Sequence, residues 1–122
     1  MVEHAITRLC EGIAQTFGAT IKPGFDLRYP PTVNTVAETE LCLQAAVSLF
    51  GAEKVRRNEL PSMGAEDFAY MLQRKPGCYA WLGNGPGTGG CTLHNSRYDF
   101  NDEIIPLGIN YWVRLVETVL RN

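Results

Sequence analysis

The chain has 122 residues, 45% hydrophobic and 20% charged, which is the usage of one ordinary globular domain rather than of a disordered, collagenous or membrane-embedded chain. Its 11 basic and 13 acidic residues leave a net charge of -2 with no basic run, so the electrostatic footprint of a nucleic-acid binder is missing. No stretch approaches the roughly 20 apolar residues of a membrane helix, and the opening MVEHAITRLCEG lacks the basic-then-apolar pattern of a signal peptide, which makes the cytoplasm the expected compartment.

The first element is an amphipathic helix. Val2, Ala5, Ile6, Leu9, Cys10, Ile13, Ala14 and Phe17 recur at the spacing of one helical face, and Gly18 supplies a left-handed stop. His4 falls on the polar face, where a solvated imidazole is the plain reading. Ala19, Ile21, Phe25, Leu27 and Tyr29 then alternate with polar residues, the period of a half-buried strand. Pro23 and Gly24 interrupt it, which predicts an edge or a bulge, and Pro30 and Pro31 stop it. A helix and a strand with one wet face look like the second half of a small α+β layer, entered part-way.

A second helix is predicted from Thr35 to Gly51, opened by a capping box in which Thr35 accepts from the first turn and Glu38 reaches back. Its body is apolar around most of its circumference, so cover on more than one side is expected. A brief strand is predicted around Val55. Ser62 to Gln73 reads as a loop into a short helix with Glu66 and Asp67 in its first turn, where the helix dipole favours acids. Cys78 to Leu82 is a continuous apolar run, expected as a strand buried on both faces. A last helix starts near Pro106 and places Ile105, Ile109, Trp112, Val116 and Leu120 on one face. Chain size predicts a core without help from disulfides, since a domain of this length buries about two-thirds of its unfolded surface.

The glycine-rich GNGPGTGG has neither GxGxxG opening a helix nor a GK[ST] ending, so it is not a nucleotide loop. Cys10, Cys42, Cys78 and Cys91 show no CxxC pairing, and the first three sit among apolar neighbours and are expected as buried free thiols. Cys91 and His94 have a spacing that two zinc ligands can use, but they are half of a structural site. Two polar clusters remain. SMGAEDFAYM holds Glu66 and Asp67, and TLHNSRYDFND holds His94, which follows the glycine-rich loop and is expected at an accessible cleft mouth. Glu66 and Asp67 are either acids at a helix start or neighbours of His94 in space.

In order and spacing, GFDLRYPPTVNT, MGAEDFAYMLQRKPGCYAWLGNG and LHNSRYDFNDEIIPLG resemble the C-terminal part of the M20 metallopeptidase and amidohydrolase family, in the branch that includes hippurate hydrolases and N-acyl-amino-acid deacylases. The resemblance implies an α/β (α+β) fold, with residues 1–32 as the second half of a lid or dimerisation domain and 33–122 as the C-terminal part of a catalytic domain. It places His94 on a metal-ligand histidine, Arg28 and Asn34 where the lid meets substrate, and Gly64 and Glu66 on a loop bordering the cleft. The implied cofactor is a divalent metal (Zn, Mn or Co), and the implied substrate a small-molecule N-acyl amino acid or a related peptide. The family's other ligands and its general-base glutamate match nothing in this chain, so the isolated chain is expected to be inactive and any metal weakly held. The competing expectation is a non-catalytic, self-associating module derived from such an enzyme. A homo-oligomer is expected on either reading, because the strand edge and first helix would lack sheet partners.

Overall fold

The computed structural model describes residues 1–85 and 93–120. The chain divides into two compact units, Met1–Pro30 and Pro31–Asn122.

In the first unit, helix α1 spans Val2–Phe17 as its periodicity predicts. Gly18 ends it at φ 61°, and the amides of Gly18 and Ala19 both reach the Ala14 carbonyl, which satisfies one of the orphan acceptors of the last turn. On the polar side, the Thr7 and Thr16 hydroxyls donate to the carbonyls of Glu3 and Gly12. The apolar face stands open, with Leu9 66% and Phe17 78% exposed, and no residue of α1 is buried. Residues 19–30 form no strand, contrary to the alternation of Ala19 to Tyr29. A strand exists by virtue of a ladder partner, and the described residues of this unit contain one helix and no second extended segment paired with this one.

The second unit is built on two helices packed against one another, α2 (Val36–Phe50) and α4 (Ile105–Val119), with a short α3 (Phe68–Leu72) between them in sequence. Single 3-10 turns at Ala52–Lys54 and Asp102–Ile104 follow α2 and precede α4. Gly51 closes α2 at φ 83° and Pro106 sits in the first turn of α4, both as expected. The Val55 strand is not formed: that residue is extended, but its amide closes the 3-10 turn on the Ala52 carbonyl and it joins no ladder among the described residues.

Thr35 corrects the capping box. Its hydroxyl pairs with the Glu38 carboxylate, but instead of accepting from the first turn of α2 it accepts the Gly77 amide at 2.9 Å. The Thr35 amide donates to the Gly77 carbonyl at 3.0 Å, so the helix start is tied to a segment 42 residues later. Glu66 and Asp67 likewise precede α3 instead of occupying its first turn, and their carbonyls accept from Ala69 and Tyr70 in the turn that starts it.

Residues 77–82 run among the helices without entering a sheet. Gly77 lies so close to α3 that a Cβ there would stand 3.1 Å from Leu72 Cδ2. Cys78 meets Thr39 and Cys42 of α2, and Leu82 lies against Gly108 of α4. The rings of Tyr79 and Trp81 meet edge-on at 5.8 Å, the i, i+2 relation of extended backbone. The buried strand predicted for Cys78 to Leu82 is thus absent as a laddered element, although the segment keeps its central place. Ala45 and Ala69 are the only fully buried hydrophobic residues among those described. The expected core is small because the predicted inner face of α4 is uncovered, with Trp112 64% and Leu120 71% exposed. The described fold is helix and coil; the α/β layering implied by the resemblance is not formed within it.

Candidate functional site

His94 sits on the connection between the 77–82 segment and α4, and two asparagines close the base of that connection. The Asn101 amide donates to Asn84 Oδ1 at 2.8 Å, Asn101 Nδ2 donates to the Asn84 carbonyl at 3.2 Å, and Asn84 Nδ2 donates to the Asp99 carbonyl at 3.0 Å. Asn101 Oδ1 also accepts from the Glu103 amide and so caps the turn that leads into α4. Gly85 leaves the clasp at φ 73°, and a Cβ there would lie 3.6 Å from Asn101 Nδ2. Carboxamides suit this work because each offers a donor and an acceptor to backbone that has no ladder.

Beyond the clasp, His94 adopts φ 66°, a left-handed conformation that costs a non-glycine residue about 1 kcal/mol. The next residues fold into a turn in which Asn95 Oδ1 accepts the Arg97 amide and the Asn95 carbonyl accepts the Tyr98 amide, both at 2.9 Å. Tyr98 and Phe100 pack edge-on at 5.1 Å behind it. The imidazole is exposed, as its polar neighbourhood predicts. Cys91, the other half of the Cys-x2-His pair, lies outside the described residues.

A second cluster gathers at Tyr79. The Asn34 side chain grips its backbone at both ends: Asn34 Nδ2 donates to the Tyr79 carbonyl at 2.9 Å, and the Tyr79 amide donates to Asn34 Oδ1 at 2.8 Å. One side chain thereby imitates a residue of a neighbouring strand. Burial pushes the Tyr79 phenol above its usual range, helped by a hydrogen bond to Glu66 and by the negative charges of Glu66 and Asp67. The Tyr79 ring also lies 5.5 Å from that of Phe68. Asn34, Glu66 and Asp67 therefore share one neighbour that the sequence did not single out. Gly64 is exposed on the loop ahead of these acids. Arg28 belongs to the first unit, where its Nε donates to Asp26 Oδ2 at 2.6 Å.

Among the described residues, no three His, Cys, Asp or Glu side chains converge in a way that could hold a metal ion, so His94, Glu66 and Asp67 do not form such a group. A closed zinc site needs four donors and a catalytic one three. The donor set of these residues does not fit a bound divalent metal by itself. The residues missed by sequence reasoning are Tyr79, Asn84 and Asn101. The placement of two asparagines on either side of a glycine-rich run is the signal that could have found the clasp.

The chain is similar to hippurate hydrolase of Campylobacter jejuni subsp. jejuni, with 31% identity over 121 residues, covering 99% of this chain and 31% of that protein. It is 27% identical over 118 residues to N-acetyldiaminopimelate deacetylase of Pediococcus pentosaceus, covering 96% of this chain and 29% of the relative. Thermostable carboxypeptidase 1 of Saccharolobus solfataricus is 31% identical over 104 residues, covering 83% and 25%. The chain therefore spans less than a third of the length of these relatives. No solved structure matches it. The profile of peptidase family M20/M25/M40 matches residues 8–118, nearly the whole chain and all three segments whose order suggested the resemblance, and the chain belongs to that family.

Proposed function

We propose that this chain supplies the His94 wall of a metal-dependent amidohydrolase acting on N-acyl amino acids of the hippurate type or on related peptides. The observation that carries this reading is His94 itself, held outward at positive φ in a loop whose base is clasped by Asn84 and Asn101, in a chain of the M20 family. Backbone strain of this kind is retained where the surroundings enforce it, and functional sites are a common place for it. The remaining metal donors and the general base would come from polypeptide equivalent to the other two-thirds of the relatives. Asn34, Gly64 and Glu66 would line the substrate side, and Arg28 would approach from the lid unit. On this reading residues 1–32 are half of a lid, 33–122 are the end of an α/β catalytic domain, and 78–82 becomes a true strand once a neighbour pairs with it.

The test is release of glycine from N-benzoylglycine with excess zinc or manganese. The chain alone is expected to show no turnover. A chimera in which this chain replaces the matching third of the Campylobacter hippurate hydrolase is expected to turn over and to lose activity and metal content with His94→Ala. Turnover by the chain alone, or a chimera indifferent to His94→Ala, refutes the proposal.

The open apolar faces of α1 and α4 support a second reading, a self-associating module without catalysis. Burying one large apolar side chain stabilises by roughly 1.5–3 kcal/mol, so pairing Trp112 and Leu120 of α4 with a second copy is a real driving force. Sedimentation that shows only monomer up to millimolar concentration rejects it.

A further inference from the structure

We propose that Cys42 and Cys78 form an oxidisable dithiol, a modification site at which a two-electron oxidant such as hydrogen peroxide closes a disulfide between α2 and the 77–79 segment. Cys42 lies three residues beyond Thr39 on one face of α2, and both side chains lie close enough to the Cys78 thiol to act on it. Asn34 Nδ2 lies 3.5 Å from Cys78 Sγ on another side. The segment is held in register with α2 by two pairs of hydrogen bonds, Thr35 with Gly77 and Asn34 with Tyr79, which flank Cys78. The two sulfurs are therefore neighbours by construction of the fold, not by fluctuation. Both thiols are free and half-buried, within reach of a small oxidant.

The chemistry balances with peroxide alone. One thiolate attacks a peroxide oxygen, giving a sulfenic acid and, after protonation of the leaving hydroxide, water. The neighbouring thiol then attacks the sulfenic sulfur, forming the S–S bond and releasing a second water. Peroxide gains two electrons and the thiol pair loses two. Burial raises the Cys78 thiol above its usual range, so reaction should quicken as pH rises through and beyond that range. Tyr111 of α4 lies beside Cys42, so the cross-link would lie where α2, α4 and the 77–79 segment meet.

The experiment treats the full chain with peroxide at pH 8, alkylates the remaining thiols, and maps chymotryptic peptides without reduction. Cleavage after Tyr79 and Trp81 separates Cys78 from Cys91, which trypsin would leave together. The expected product is a Cys42–Cys78 linked peptide lighter by two hydrogens, formed in native buffer and replaced by mixed pairings in urea. Cys42→Ser is expected to abolish that link, and Cys10→Ser to leave it unchanged. The proposal is overturned if Cys42 and Cys78 are both recovered alkylated, or if Cys42 proceeds to a sulfinic acid beside an alkylated Cys78. Native and urea samples giving the same pairings would also overturn it.

Discussion

Replacing Asn34 with alanine tests whether its carboxamide holds the 77–79 segment or is free to serve a ligand. The substitution removes the two hydrogen bonds to the Tyr79 backbone, of 2.9 and 2.8 Å, together with the weaker 3.5 Å contact to Cys78 Sγ, and leaves the Tyr79 amide and carbonyl without their partner. A net hydrogen bond contributes about 1 kcal/mol, and the exposure of Asn34 lets water replace part of each. The expected loss is therefore about 1–2 kcal/mol, or a fall in Tm of roughly 5–10 °C for a unit of this size. Asn34→Asp keeps the acceptor for the Tyr79 amide but sets a carboxylate against the Tyr79 carbonyl, so it should match alanine at pH 7 and recover as pH falls through about 4. Hydrogen exchange at the Tyr79 amide, followed together with urea unfolding, reads this directly. Exchange at Tyr79 should accelerate in Asn34→Ala while amides in the middle of α2 change less. An unchanged midpoint with unchanged Tyr79 exchange would show that the paired hydrogen bonds do not hold this segment.

Three further outcomes are expected. Asn101→Ala removes its side-chain bonds to Asn84 and to the Glu103 amide and should destabilise the second unit by about 1–2 kcal/mol; proteolysis in the connection carrying His94 should quicken, and an unchanged cleavage rate contradicts the clasp. Tyr111, Tyr79 and Cys78 all hold their protons more tightly folded than unfolded, with burial the leading cause in each. Their contribution is complete below the unfolded values of 9.0 for Cys and 10.0 for Tyr and is lost as pH rises beyond them, so urea midpoints should fall above about pH 9 and Tyr111→Phe should flatten that fall. Gly18→Ala forces a Cβ into φ 61° and should cost α1 about 1 kcal/mol, read as lost helicity by circular dichroism; unchanged helicity would argue against the cap.

Local rules were legible in the residues. The period of Val2 to Phe17 with Gly18 behind it specifies α1 and its stop, and Pro106 with the spacing from Ile105 to Leu120 specifies α4, because helix formation and capping depend on neighbours within a turn. The family, too, was legible from three segments in order. The pairings belong to tertiary structure. Alternation at Ala19 to Tyr29 and the apolar run at Cys78 to Leu82 describe faces that a strand would bury, yet a strand forms only against another strand, and the described residues supply none. Thr35 has the right type for a capping box, but its oxygen is taken by Gly77, and the side chains of Asn34 and Asn84 stand in for ladder partners at Tyr79 and Asn101. Such contacts join residues 17 to 45 positions apart, and no local pattern encodes which distant backbone group will claim a given side chain. That decision falls to packing, which also leaves the imidazole of His94 facing outward.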